Sequence, residues 1–157
     1  MDNLVNITYN EIQLGDSRSY SKTLTEDDLI LFAATSGDVN PVHLDEKFAS
    51  DSMFKERIGH GMWSGSLVSA TLATVIPGPG TIYLNQSLNF IRPVKLGDTL
   101  RVTLTAIEKD DEKNTVLFDC EVDNQRQEKV VEGNALVIAP TEKLLLSRPS
   151  LPKIKIG

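Results

Sequence analysis

The chain has 157 residues, of which 40% are hydrophobic and 24% are charged, so it fits one globular domain and is neither disordered nor collagen-like. Its 16 Lys and Arg residues against 22 Asp and Glu residues leave a formal charge of -6, which argues against binding of nucleic acid through phosphates. A single cysteine, Cys120, excludes a disulfide scaffold. We recognise no signal peptide or membrane span, and therefore expect a cytoplasmic protein.

The N-terminal third of the chain predicts short helices joined by a bend. A strand is expected over 19–24, and a capping-box pattern then opens a helix over 25–36. The next segment, 37–43, contains Pro41, which has no N–H group and disfavours helix in the residue before it, so this segment is predicted to be a bend. A second short helix is expected over 45–54.

The middle of the chain predicts one buried helix. From Ile58 to Ile91 the sequence has no Asp, Glu, Lys or Arg. Within this block, 61–76 is apolar or small on every face, which is typical of a helix covered on all sides and too short to cross a membrane. The Pro-Gly-Pro-Gly segment 77–80 ends it.

The second half alternates apolar and polar residues with a period of two, as half-buried strands do. The strand candidates are 81–90, 100–106, 116–122 and 130–138, with turns at 95–98 and 109–114. A buried helix followed by an antiparallel sheet predicts an α+β fold, with the sheet wrapped around the helix. After Pro140 the period is lost, so we assign a domain to 1–140 and a tail or linker to 141–157.

The candidate chemistry lies around the start of the buried helix. His43 and His60 lie on either side of residue 58, where the uncharged block begins, and Asp38 precedes His43 in the Pro-containing bend. An Asp and a His brought together by such a bend can share one water molecule. Gly61 opens the helix, where free N–H groups can hold a polarised carbonyl or an oxyanion. His60 is expected to position the loop rather than to react.

Three sequence blocks in order carry a resemblance to a known family: GDVNPVH with LDEKFA, then GHGMWSGSLVSA, then IYLNQSLNFIRPV. They closely resemble the MaoC-like family, in particular its (R)-specific enoyl-CoA hydratases, over roughly Ile12 to Pro140. The resemblance implies a hotdog fold, in which an antiparallel sheet surrounds a long central helix. It also implies an acyl-CoA substrate, a homodimer or higher homo-oligomer, and no metal or redox cofactor.

The resemblance also implies the roles of individual residues. Asp38 and His43 correspond to the catalytic pair, with Asp38 favoured as the base, and the Gly61 amide holds the thioester oxygen. The other candidates contact the ligand: Asn40, Ser69 and Leu72 for the acyl substrate, and Arg92 for a CoA phosphate. The implied reaction adds water to a trans-2-enoyl-CoA and yields an (R)-3-hydroxyacyl-CoA.

Two other functions stay open at this point. Acyl-CoA thioester hydrolysis is disfavoured because hotdog thioesterases usually carry an acid on the central helix, and 61–76 contains none. A non-catalytic acyl-CoA-binding or dimerisation module would bind its ligand without turnover, whether or not Asp38 is present. The tail 141–157 resembles the connector that joins a MaoC-like domain to a phosphate acyltransferase, so the chain is either free-standing or half of a bifunctional enzyme.

Two further residues are assigned to packing. Ser64 lies between two glycines but lacks the strand and the pattern of a serine-hydrolase nucleophile, so it is expected to be a small helix-packing residue. Cys120 alternates with predicted core positions and is expected to be inert.

Overall fold

The computed structural model describes residues 2–157, in which two antiparallel sheets accompany one long helix and three shorter ones. The helices are α1 (Glu26–Ser36), α2 (Pro41–Leu44), α3 (Glu46–Asp51) and α4 (Gly61–Thr74). The strands are β1 (Asn3–Val5), β2 (Ser17–Thr23), β3 (Ile82–Gln86), β4 (Asn89–Phe90), β5 (Thr99–Asp110), β6 (Thr115–Asp123), β7 (Lys129–Ile138) and β8 (Leu145–Ser147).

The main sheet has six strands and buries one face. Its order is β2-β5-β6-β7-β3, and β4 also pairs with β7. The alternation predicted from the sequence is confirmed, because the side chains assigned to one face of the two central strands are all buried. They are Leu100, Val102, Leu104 and Ala106 on β5, and Val116, Phe118, Cys120 and Val122 on β6.

Helix α4 is the central helix and packs against β5 and β2. Its buried side chains include Trp63, Leu67, Val68 and Leu72, which belong to the same hydrophobic core as the sheet. The uncharged block therefore predicted this helix correctly. An antiparallel sheet around a buried helix is the α+β hotdog fold that the sequence predicted. Of the described helices, none combines the length and apolarity needed to cross a bilayer.

Helix α1 begins at the predicted capping box. The Thr25 hydroxyl accepts a hydrogen bond from the Asp28 amide at 3.2 Å, and the Asp28 carboxylate accepts one from the Thr25 amide at 3.0 Å. Gly37 ends the helix in the left-handed region, with a φ of 80°. The reciprocal bonds satisfy two backbone groups that a bare helix end would leave without partners.

Two local predictions are wrong. The segment 37–43 is not entirely a bend, because Pro41–Leu44 forms one helical turn. Proline at the first position of a helix loses no hydrogen bond, and the Asn40 side chain caps the turn by accepting from the Val42 amide at 3.2 Å. The second error is smaller: the helix expected over 45–54 covers only Glu46–Asp51.

The strand predicted over 81–90 is divided into β3 and β4. The break falls at Ser87, whose carbonyl oxygen crosses so close to Gly133 that a Cβ atom there would lie 1.9 Å from it. Ser87 also exchanges hydrogen bonds with Asn134, accepting from its amide through the hydroxyl at 2.9 Å and donating to its carbonyl at 2.8 Å. Glycine at position 133 of β7 therefore permits the close approach of the Ser87 backbone. The periodicity of 81–90 does not predict this break, because its cause lies on another strand.

The segment after Pro140 is partly ordered against the other end of the chain. Strand β8 pairs antiparallel with β1, and the loss of period did not predict this strand. The Asn6 side chain, which is fully buried, donates to the Glu142 carbonyl at 2.7 Å and accepts from the Leu144 amide at 2.9 Å. The division between 1–140 and 141–157 stays a prediction.

Candidate active site

Asp38 and His43 lie together in the segment between α1 and α3. The Asp38 carboxylate oxygen Oδ2 is 3.7 Å from His43 Nε2. The His43 side chain is 8% exposed, whereas the Asp38 side chain is 49% exposed. A separation of this size exceeds a direct hydrogen bond and suits a water molecule that contacts both groups.

Two contacts fix the orientation of His43. Its Nδ1 lies 2.8 Å from the Ile58 carbonyl oxygen, which can only accept, so Nδ1 carries the ring proton. Consequently Nε2, the nitrogen that faces Asp38, presents a lone pair when the ring is neutral. The backbone is held as well, because Arg57 donates from Nε to the His43 carbonyl at 2.8 Å and forms two hydrogen bonds to Glu26.

The local turn sets the position of Asp38. Its Oδ1 accepts from the Asn40 amide at 3.1 Å, which is a local side-chain-to-backbone turn. Asn40 uses its own Oδ1 to cap α2, as described above, and its side chain is exposed. Its predicted contact with substrate stays a prediction, and its structural part is to shape the loop that carries Asp38.

His60 joins the loop to the start of the central helix. Its ring stacks on the His43 ring, with centroids 3.8 Å apart and an angle of 26° between the planes. Its Nε2 lies 2.9 Å from the Asp38 carbonyl oxygen, and the Phe32 ring lies 5.0 Å away on a tilted plane. His60 is 2% exposed. These contacts hold His60 against the His43 ring on one side and the Asp38 backbone on the other.

Asp38, His43 and His60 also carry the types of donor atom that bind metal ions. Donor atoms of Asp38, His43 and His60 lie within 4.8 Å of one another. A tetrahedral zinc site needs imidazole lone pairs that converge on one point at about 2.0–2.1 Å. The stacked rings have nearly parallel planes, so their lone pairs run side by side rather than converge. Each ring also has one nitrogen already within hydrogen-bond distance of a carbonyl. This geometry fits a water molecule better than a metal ion.

Gly61 begins α4 beside this pair. The N-cap residue is His60, and its side chain makes no hydrogen bond to the first amide groups of the helix. A Cβ atom at position 61 would lie 3.3 Å from the Phe90 ring, a tight contact that glycine avoids. The N-terminal end of a helix favours an oxygen that carries partial negative charge.

One cavity of about 330 Å³ connects several of the predicted residues. His43, Gly61 and Arg92 line it together. Arg92 is exposed at its rim and donates from Nη1 to the Lys129 carbonyl at 2.7 Å. The structure therefore brings the predicted histidine, the predicted carbonyl-binding glycine and the predicted CoA-contacting arginine to one cavity. Contact of Arg92 with a phosphate stays a prediction.

The two predicted acyl-contact residues of α4 are separated. Ser69 is half-buried and lines a second cavity, of about 500 Å³, with Tyr83 and Leu84. Leu72 is 1% exposed and belongs to the core, and it lines neither of these cavities. An acyl chain would reach Leu72 only if a cavity deepened toward the core, so this contact stays a prediction.

Ser64 is a residue of the site that sequence reasoning missed. Its side chain was expected to serve helix packing, but it lines the same cavity as His43 and Gly61. Its hydroxyl is buried and has no hydrogen-bond partner among the described residues. Nothing in the sequence distinguishes it from the other hydroxyl residues of α4, because the difference lies in where each hydroxyl points.

Comparison with known proteins shows the family to which the chain is related. The model of the MaoC like domain matches residues 10–128. The chain is 44% identical to an (R)-specific enoyl-CoA hydratase of Rhodospirillum rubrum, over 88% of this chain and 96% of that protein. It is 36% identical to a 3-hydroxybutyryl-CoA dehydratase of Methylorubrum extorquens, over 86% of this chain and 85% of that protein.

A solved structure is also similar over almost the whole length. The unliganded R-hydratase PhaJ1 of Pseudomonas aeruginosa is 52% identical and superposes with a TM-score of 0.96, covering 99% of this chain and 100% of that one. The matched region contains the loop of Asp38 and His43 and the start of α4. The chain belongs to the MaoC-like domain family.

Proposed function

We infer that the chain is an (R)-specific enoyl-CoA hydratase, which adds water to a trans-2-enoyl-CoA. The observation that carries this conclusion is the pairing of Asp38 with His43 beside the uncapped start of α4, in a chain 52% identical to an R-hydratase. The dehydratase relative catalyses, by its name, removal of water from a 3-hydroxyacyl-CoA, which is the reverse of the same reaction.

The proposed roles begin with the water molecule. The Asp38 carboxylate and the lone pair of His43 Nε2 are both acceptors, so one water can donate a hydrogen to each. The lone pairs of that water are then free to face carbon C3 of the substrate. Asp38 is proposed as the base that takes the proton as the new C3–O bond forms, a role that is effective only when the water is held in place.

The Gly61 amide is proposed to hold the thioester oxygen. As the C3–O bond forms, the electron pair of the C2=C3 bond moves toward C2 and the thioester oxygen, and the N–H at the start of α4 stabilises the charge that develops there. The proton removed from water is then delivered to C2. The hydroxyl at C3 and the hydrogen at C2 thus both derive from one water molecule, and no cofactor is required for this balance.

Removal of the base tests the proposal. We expect Asp38→Asn and His43→Gln each to lower kcat for hydration by roughly 10²- to 10⁴-fold, the range for loss of a positioned acid or base. The measurement is the disappearance of the enoyl-thioester absorbance. Asp27→Asn is a matched control, since Asp27 is an exposed carboxylate in the first turn of α1. Equal turnover by Asp38→Asn and by the control would contradict the assignment of Asp38 as the base.

The ligand contacts are part of the same proposal. Asn40, Ser69 and Leu72 are proposed to contact the acyl part, and Arg92 a CoA phosphate. Arg92 is supported by its place at the rim of the cavity that contains His43 and Gly61. Ser69 is supported by a mainly apolar cavity next to β3. A cytoplasmic location, expected from the sequence, stays a prediction.

We also propose a homodimer that forms along β3, and leave higher homo-oligomers as a prediction. Strand β3 is an edge of the six-stranded sheet, so its outer backbone groups are available for pairing. Large apolar side chains there are exposed: Ile82, Tyr83, Leu84, Phe90 and Ile91. Exposed apolar side chains concentrated near one sheet edge are typical of a protein interface.

A charge on the β3 edge tests the dimer. We expect Leu84→Lys to shift the mass measured by analytical ultracentrifugation from dimer toward monomer, because a buried unpaired charge opposes association. Leu14→Lys, an equally drastic change at an exposed leucine in the loop before β2, should leave the mass unchanged. A Leu84→Lys protein that stays dimeric would place the interface elsewhere, and a monomeric wild-type protein would exclude the dimer.

A further inference from the structure

Ser64 differs from the other hydroxyl residues of α4. Ser66, Thr71 and Thr74 each donate to a backbone carbonyl of the preceding turn, at 2.6–2.7 Å. A Ser or Thr hydroxyl inside a helix commonly donates to a carbonyl of the preceding turn in this way. The Ser64 hydroxyl makes no such bond and has no other partner among residues 2–157, although the residue is only 1% exposed.

A buried hydroxyl without a partner needs an explanation. Most buried polar groups in folded proteins are hydrogen-bonded. A buried group without a partner therefore often marks a place where a ligand or a water molecule supplies the missing hydrogen bond. Ser64 lines the cavity that also contains His43 and Gly61. Ser64 therefore lies beside the place where the proposed function puts the reacting thioester.

The geometry of the helix directs this hydroxyl toward Gly61. Residues three apart share one face of a helix, and Ser64 follows Gly61 by three. Every Cα–Cβ bond in a helix tilts toward the N-terminus, so the Ser64 side chain leans over the turn that Gly61 begins. Gly61 and Ser64, each with a hydrogen-bond donor, thus share one face of the helix and line one cavity.

We propose that the Ser64 hydroxyl is a second hydrogen-bond donor to the thioester oxygen, beside the Gly61 amide. This inference rests on the proposed function and adds a residue to it. The hydroxyl lacks a partner in the free protein and gains one when substrate binds. Because the charge on the thioester oxygen grows as water adds, the bond strengthens in the transition state and acts on kcat rather than on KM.

Kinetics of Ser64→Ala in the full chain give the first test. We expect kcat to fall roughly three- to tenfold, the loss typical of one neutral hydrogen bond, with KM changed by less than twofold. The Tm of the ligand-free variant should not fall, because the change removes a buried hydroxyl that has no partner. Thr74→Ala, which removes a hydroxyl bonded within the same helix, should leave kcat unchanged. An unchanged kcat in Ser64→Ala, or an effect confined to KM, would overturn the proposal.

A spectroscopic readout separates this inference from the hydratase assignment. Bound to the Asp38→Asn protein, where water addition is blocked, a dienoyl-CoA should absorb at longer wavelength than in solution because its carbonyl is polarised. Adding Ser64→Ala should reduce that red shift. A reduced shift supports the Ser64 contact even if the wild-type protein fails to hydrate enoyl-CoA, in which case only the proposed function fails. An equal shift in both proteins overturns the inference alone.

Discussion

Three contacts hold His43, two on its ring and one on its backbone, which leaves a single ring nitrogen for chemistry. Nδ1 faces the Ile58 carbonyl, one face of the ring stacks on His60, and Arg57 holds the backbone carbonyl. Nε2 alone faces the Asp38 carboxylate. This orientation is fixed before any ligand binds, and such pre-organisation is what lets a weak base act on one water molecule.

At the residue scale, Cys120 gives a prediction that is independent of the active site. Burial raises the pKa of its thiol to about 11, although a contact with Gln86 acts in the opposite direction. The reactive thiolate is therefore scarce at neutral pH. We expect a disulfide-exchange reagent at pH 8 to modify Cys120 only slowly in the native protein, and rapidly after unfolding in guanidinium. Fast native modification would show that the thiol is accessible.

Part of the site could be predicted residue by residue, because its core lies in two short stretches of sequence. Asp38 and His43 share one turn, so their proximity in the structure is a local property. Gly61 follows from its place at the start of a long uncharged segment. The burial of Leu72 in the core follows from the same uncharged segment. The free hydroxyl of Ser64 depends on how α4 lies against its neighbours, and a one-dimensional pattern does not contain that information.

At the scale of the element, α1 matters because it carries Glu26, which anchors Arg57 behind His43. Thr25→Ala should lower the free energy of unfolding by about 1 kcal/mol, since it removes the hydroxyl that accepts from the Asp28 amide in the capping box. Urea unfolding measures this. Thr35→Ala in the last turn of the same helix should be neutral or slightly stabilising, because Thr35 is exposed and alanine favours helix. Equal losses in the two variants would contradict a capping role.

Elements with a strong period were predictable and those formed by distant contacts were not. Strands β5 and β6, of twelve and nine residues, alternate buried and less buried positions over most of their length, which is enough for the pattern to dominate. Strand β8 has three residues and exists because it pairs with β1 at the far end of the chain. The single turn of α2 depends on a cap and a proline, which can also form a bend.

At the scale of the whole molecule, the two ends of the chain are joined by an ion pair as well as by β1 and β8. Lys143 Nζ donates to both Glu11 carboxylate oxygens, at 2.9 and 3.1 Å, and to the Asn6 carbonyl at 2.6 Å. The hydrogen bonds from Lys143, together with those from Thr8, lower the pKa of Glu11 from 4.5 to about 2. The carboxylate is thus favoured in the folded state.

This pair predicts a pH dependence of stability. Because the folded pKa is depressed, its contribution is present above pH 4.5 and is lost as the pH falls toward 2. We expect Tm to fall less steeply between pH 4.5 and 2 in Lys143→Gln than in the wild-type protein, since the variant lacks this contribution at every pH. Lys153→Gln, at an exposed lysine of the same segment, should keep the wild-type slope. Identical slopes in all three proteins would exclude the pair as a stabilising contact.

The most direct test of the whole account is the fate of crotonyl-CoA incubated with the purified chain. Loss of the conjugated enoyl-thioester absorbance, with chiral analysis of the product, measures both the reaction and its stereochemistry. We predict (R)-3-hydroxybutyryl-CoA and no release of free thiol. An (S) product would contradict the assignment as an (R)-specific hydratase. Free thiol would indicate a thioesterase, and tight binding without turnover would indicate a module that binds acyl-CoA only.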